Sequence, residues 1–284
     1  MPSPAAHIGI YREAAERNRS EPLRTGLLLR FPNHGQLVMT GDLHGHQRNL
    51  DRIQNYCDLV HAPARHVILH EIIHADTESL FSPDLSHLVL LQAARWKCEF
   101  PDQVHFLLGN HELSQLTRHE ISKGGRYVTQ DFLGGVARTY AEDAQAVYEA
   151  LLDFIGSFAL AARTANRVFL CHSLPGLSDL ARFDPSILER ALHELDLSER
   201  GSAYPLVWGR NQTEDVLDLL ANTLDVDLFV CGHQPEETGY EVVHERMLVL
   251  ASDHNRGMIL PFDLRKRHTM QDLVRLMRPL ASIA

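Results

Sequence analysis

The chain has 284 residues, 44% of them apolar, enough for one large domain with a substantial core. Its four cysteines, Cys57, Cys98, Cys171 and Cys231, are widely separated with no C-x-x-C pair, which argues against a disulfide framework or a structural zinc knuckle and fits a reducing cytoplasm. The net charge of −10 offers nucleic acid no electrostatic footprint, and no segment has the apolar length of a membrane span or the build of a signal peptide.

Residues 1–30, which include IYREAAERNR, are expected to form an N-terminal helical extension to a main domain over 31–284. Five short apolar runs bounded by polar residues then read as buried strands: QLVMTGD (36–42), RHVILHE (65–71), QVHFLLGN (103–110), RVFLCH (167–172) and DLFVCGH (227–233). Helical spacing lies between them. Leu50, Ile53, Cys57 and Val60 recur at that spacing after the first run. Ser82 followed by Pro83 predicts the N-cap and first turn of a helix through Trp96. Residues 140–158 and 213–224 are expected as further helices, and 113–135 and 176–206 as loops that would carry specificity. Near the end YEVVHE, RMLVLAS and GMILPFDL read as strands in antiparallel succession, followed by a closing helix over 270–277. The pattern is α/β with a mixed sheet.

What the five runs share is how they end: in Asp42 with His44, in Glu71, in Asn110 with His111, in His172 and in His233. One such residue is an ordinary turn former. Five oxygen or imidazole donors past the carboxyl ends of strands, where open α/β sheets bind ligands, predict a metal site. The 18 histidines of the chain point the same way.

The second run continues into HEIIH (70–74), the H-E-x-x-H spelling of zinc metalloproteases. That chemistry needs a helix, on which residues four apart share a face, and a further ligand downstream. A strand is expected instead up to Glu71, and the protease reading leaves the other four strand ends without a role.

The motifs GDLHGH (41–46), GNHE (109–112), CHSLPG (171–176) and CGHQP (231–235) resemble those of the calcineurin-like metallophosphoesterases, most closely the phosphoprotein phosphatase group, over about residues 36–264. VWGRNQ (207–212) is similar to the Trp-x-Arg segment of bacterial and phage members. The resemblance implies a four-layer sandwich of two mixed β-sheets flanked by helices, with two divalent ions, manganese, iron or zinc, at the strand ends. Asp42 and His44 would hold the first ion and Asn110, His172 and His233 the second. Glu71 takes the position of the family's bridging Asp. His111 would protonate the leaving oxygen, and Arg210 and Asn110 would contact a phosphorylated protein or small molecule, as in Ser/Thr protein phosphatases.

The second motif departs from the family's G-D-x-x-D-R-G. His70 stands for the Gly, His74 for the second Asp and Ala75 for the Arg, so both histidines are expected beside the ligands rather than among them. Without that Arg, Arg210 carries the anion, with Arg48, Lys123 and Arg126 as candidate helpers. Without the second Asp, His111 lacks a carboxylate partner, and His74→Asp is expected to move the pH profile upward. These departures motivate a further reading, a phosphatase fold that binds phospho-ligands without turning them over. Cys171 and Cys231, beside ligand positions, are expected as core.

Overall fold

Two sheets lie face to face, and the two-residue period of their strands fixes which side chains meet. The computed structural model of the chain describes residues 3–76, 82–123 and 125–284. Leu37, Met39, Ile68 and Leu107 from one sheet and Leu29, Leu170, Val230 and Leu248 from the other form the apolar layer between the sheets. Their alternates, Val38, Val67, Leu69 and Phe106 on one side and Phe169, Cys171, Phe229 and Cys231 on the other, pack in a second cluster with helix residues such as Leu50, Val89, Phe154 and Leu217. Each central strand is thus buried on both faces, which is why it reads as an unbroken apolar run.

The seven-stranded sheet runs in the order Arg24–Thr25, Leu28–Phe31, Ala161–Thr164, Val168–Cys171, Leu228–Cys231, Met247–Leu250, Tyr240–Val243. The five-stranded sheet runs Arg278–Pro279, Met258–Asp263, Gln36–Asp42, Arg65–His70, Val104–Leu107. Gln36–Asp42, Arg65–His70 and Val104–Leu107 are mutually parallel, as are Val168–Cys171, Leu228–Cys231 and Met247–Leu250, so all five donor-bearing strands have parallel neighbours. Helices cover both outer faces, giving the expected four layers. No helix among the described residues is long and apolar enough to cross a membrane.

Several sequence expectations need correction. Tyr240–Val243 and Met247–Leu250 do pair antiparallel, but Met258–Asp263 crosses to the other sheet and lies antiparallel to Gln36–Asp42. Its Leu260 and Phe262 thereby enter the layer between the sheets. Ser82 and Pro83 do not open a helix. The helix runs Ser86–Glu99, with the Asp84 carboxylate accepting the Ser86 N–H at 2.8 Å. Tyr140 ends one helix, Val128–Tyr140, and Ala144–Ile155 is another, separated by a turn in which Ala141 takes a φ of 49°. Much of the loop expected over 113–135 is therefore helical, since Asn110–Thr117 is a helix as well.

The N-terminal helix, Pro4–Ser20, packs on the helices Ser86–Glu99 and Ala144–Ile155 with Tyr11, Ala14 and Ala15 fully buried. Its two alanines let the helices approach closely. Tyr11 Oη donates to the His87 carbonyl at 2.8 Å, and Asn18 Nδ2 to Ser157 Oγ at 2.8 Å. Just beyond it, Glu21 receives Lys97 Nζ at 2.9 Å in a buried ion pair. Lys97 also donates to the carbonyls of Pro101 and Val104, so all three of its protons have acceptors.

Candidate metal centre

The strand ends are tied to one another largely through backbone N–H groups. Leu43 and His44 donate their N–H groups to the Glu71 carbonyl at 2.8 and 2.9 Å, and Gly45 donates to that of Ile72 at 2.7 Å. The His233 N–H reaches both Asp42 oxygens, at 3.1 and 2.9 Å. Four residues here take left-handed backbone without being glycine: His44 (φ 41°), Glu71 (46°), His74 (62°) and His233 (71°). Such conformations cost about 1–2 kcal/mol each and cluster where side chains must be aimed.

Glu71 leaves its strand on this turn and enters no helix, so HEIIH lacks the face a zinc protease needs. Its two histidines diverge, His70 towards His172 and His74 towards His111.

The Glu71 carboxylate lies between two groups of donors. Its Oε2 is 3.2 Å from His172 Nε2. Asn110 Oδ1 is 2.8 Å from that same nitrogen and 2.8 Å from His233 Nδ1, and the two ring nitrogens are 3.2 Å apart. On the other side, Glu71 Oε1 is 3.6 Å from His44 Nε2 and 3.7 Å from His111 Nε2, and those three residues form one candidate ion site. Asp42, His70 and His172 form a second such group, with Asp42 Oδ1 3.6 Å from both ring Nδ1 atoms.

These spacings fit metal binding. Ligand atoms about 2.1 Å from one ion stand roughly 3–3.4 Å from each other; His172 Nε2 lies 3.2 Å from both His233 Nδ1 and Glu71 Oε2, and Asn110 Oδ1 sits somewhat closer, 2.8 Å from each ring nitrogen. The rings are in the right state: burial, then the neighbouring His233, holds His172 well below the usual histidine range, and burial with Arg210 brings His233 down to about 3. Neutral imidazoles are ligands and imidazoliums are not. A mixed nitrogen and oxygen set without thiolate suits manganese, iron or zinc. Cys171 and Cys231 touch each other at 3.7 Å in the core, away from this set.

The other candidates lie around this set at differing distances. His111 turns its Nδ1 to His74 Nδ1 at 2.8 Å, and His74 Nε2 meets Gln115 Oε1 at 2.8 Å, with Tyr148 Oη on the Gln115 amide nitrogen. Arg210 is exposed, its Nη2 donating to the His233 carbonyl at 3.4 Å. Arg126 is engaged by Asp131 at 2.7 Å and by the Ser82 carbonyl. Arg48 is exposed near the start of the helix Gln47–Cys57, and the Lys123 side chain lies outside the described residues. Ala75 packs against the turn at Gly45, where an added Cβ would stand 2.8 Å from its own.

Sequence reasoning missed Glu112, although it closes the GNHE motif. This fully buried carboxylate accepts the N–H groups of Ile72 at 2.7 Å and Ile73 at 3.3 Å, holding the turn that aims Glu71. Burial pushes its carboxyl up to about 7. Trp208 sets its ring edge-on to His233 at 5.9 Å and stacks on Tyr204. Both line a cavity of about 760 Å³ that also takes in Leu113, Arg118 and Leu195.

Residues 36–237 match the family profile of the calcineurin-like phosphoesterases. A protein serine/threonine phosphatase from Saccharomyces cerevisiae superposes with a TM-score of 0.66 at 15% identity, over 99% of this chain and 94% of its own. A cold-active protein-tyrosine phosphatase from a psychrophilic Shewanella species superposes with a TM-score of 0.60 at 16% identity, over 93% and 84%. At those identities the likeness is one of fold.

Proposed function

The chain belongs to the calcineurin-like phosphoesterase family and is an enzyme of that class, and from this premise we propose that it hydrolyses a phosphate monoester at a two-metal centre bridged by Glu71. The observation that carries the reading is the division of the Glu71 carboxylate, Oε2 towards His172, whose Nε2 also meets Asn110 and His233, and Oε1 towards His44 and His111. Asp42 and His44 would complete one site, and Asn110, His172 and His233 the other. Manganese, iron or zinc bound there would neutralise the phosphate oxygens and supply an activated water as nucleophile.

The chain's own groups do the rest. Arg210, exposed beside His233, offers a planar guanidinium to the phosphate oxygens, and the Asn110 amide offers a second contact. His111 presents Nε2 on the Glu71 side of its ring and is positioned to give a proton to the departing oxygen. The cavity beside Trp208 and Tyr204 has room for the body of a phosphorylated protein segment or small molecule. The four free cysteines accord with a cytoplasmic setting.

Purified protein incubated with manganese and an aryl phosphate, with bound metal counted in parallel, tests the reading. Two ions per chain with turnover is the expected result. A chain that holds its metals and binds phosphate but releases none from aryl phosphate or phosphopeptide is a binding protein instead.

A further inference from the structure

The side chain of Arg210 is exposed, and its Nη2 donates to the His233 carbonyl at a long 3.4 Å. The main chain on either side of it is fixed far more tightly. Gly209 and Gln212 are buried, and Asn211 takes a left-handed φ of 58°, which asparagine tolerates better than most residues. This turn is pinned to residues 173–176, the segment that follows His172. Ser173 Oγ donates to the Gly209 carbonyl, just before Arg210, and Gln212 Nε2 donates to the Leu174 carbonyl, just after it. The two main chains pass too closely for a side chain. A Cβ at Gly209 would stand 1.8 Å from the Leu174 carbonyl oxygen, and one at Gly176 would stand 2.2 Å from that of Arg210.

We infer that Gln212 is a positioning residue for the phosphate site, its amide closing the bracket that holds Arg210. An arginine on a loose turn loses loop as well as side-chain freedom when it grips an anion, whereas one on a bracketed turn loses the side-chain part alone. The Leu174 carbonyl can only accept, so the nitrogen of the Gln212 amide faces it. The support is shared, because the segment that Gln212 grips begins at His172. The same turn carries Trp208, whose ring stands edge-on to His233 at 5.9 Å, so a slackened turn moves an indole as well as a guanidinium. The inference rests on the reading above of Arg210 as the phosphate contact.

Gln212→Met keeps the bulk and removes the donor. In the manganese-loaded protein it is expected to weaken inorganic phosphate about 10-fold by calorimetry and to raise KM more than it lowers kcat, with bound manganese unchanged. In an Arg210→Ala background the same substitution should add less than about 2-fold, because the group it positions is gone. In the metal-free chain, acrylamide should quench tryptophan fluorescence more strongly in Q212M. Of the two tryptophans Trp96 is buried, so quenching reports Trp208. Equal losses of phosphate affinity in the two backgrounds, unchanged quenching, or loss of manganese in Q212M each overturn the inference. A wild type that takes up no manganese, or phosphate affinity that survives Arg210→Ala, sinks the reading above, while quenching still decides whether Gln212 holds the turn. If Q212M does not fold, Ser173→Ala cuts the other tie and is expected to show the same coupling to Arg210; additive losses there overturn the inference.

Discussion

His74 and His111 meet through their Nδ1 atoms at 2.8 Å, so an imidazole occupies the position from which a carboxylate would orient the ring. Gln115 Oε1 accepts from His74 Nε2, which leaves His74 Nδ1 as a neutral acceptor for the His111 N–H. The orientation is kept and the negative charge is not. His74→Asp adds that charge and favours protonated His111, so the alkaline limb of the pH–rate profile is expected to rise by roughly one unit or more. A limb that stays in place separates His111 from proton delivery.

Gly109 makes the close approach of two carboxylates possible. A Cβ at this position would stand 2.2 Å from Glu71 Oε2 and 2.7 Å from Glu112 Oε2. Gly109→Ala is expected to displace Glu71, lowering bound metal below two ions per chain and turnover by about 100-fold or more, on the scale of a lost preorganised contact. The far-ultraviolet circular dichroism should not change. Full metal occupancy in G109A would remove Glu71 from the bridging role.

Lys97 and Glu21 form the buried anchor between the N-terminal segment and the core. Lys97→Met leaves the buried Glu21 carboxylate without its ammonium partner, with His105 2.8 Å away, and is expected to cost about 3–5 kcal/mol in urea unfolding. Removing both charges with Glu21→Gln should recover part of that loss. Deleting residues 1–22 exposes the faces covered by Tyr11, Ala14 and Ala15, and an insoluble or molten product is expected.

Buried neutral histidines set the acid limit of stability. Burial pushes His87 down to about 4, against an opposing pull from the Asp84 backbone. Since the folded value lies below the unfolded value of about 6.5, the unfolded chain binds the extra proton between them. The contribution is whole above pH 6.5 and is lost as pH falls towards 4. His87→Phe, packed against Phe132 and Tyr140, is expected to remove up to about 3 kcal/mol of that pH dependence in unfolding measurements at pH 7.5 and 4.5. Parallel pH dependence in wild type and H87F refutes the assignment.

Residues with local causes were the readable ones. Thr213 and the apolar period after it mark the helix Glu214–Leu224 directly, and the five strands declare themselves because each is buried on both faces. The donors past those strands were visible for the same reason. Other features depend on contacts that sequence order hides. The helix Val128–Tyr140 contains Gly134 and Gly135, which weaken its signature, yet Gly135 is required because a Cβ there would lie 1.8 Å from the Asp84 carbonyl. The role of Glu112 is set by two backbone N–H groups about forty residues upstream, and nothing in GNHE announces them.

The left-handed turns at His44, Glu71, His74 and His233 make this corner of the molecule hostile to its own improvement. Glycine at any of them would relax the main chain, by about 1 kcal/mol, while deleting a side chain the chemistry needs. A screen for heat-resistant variants that ignores turnover should therefore enrich glycine at these four places and deliver sturdier, inert protein.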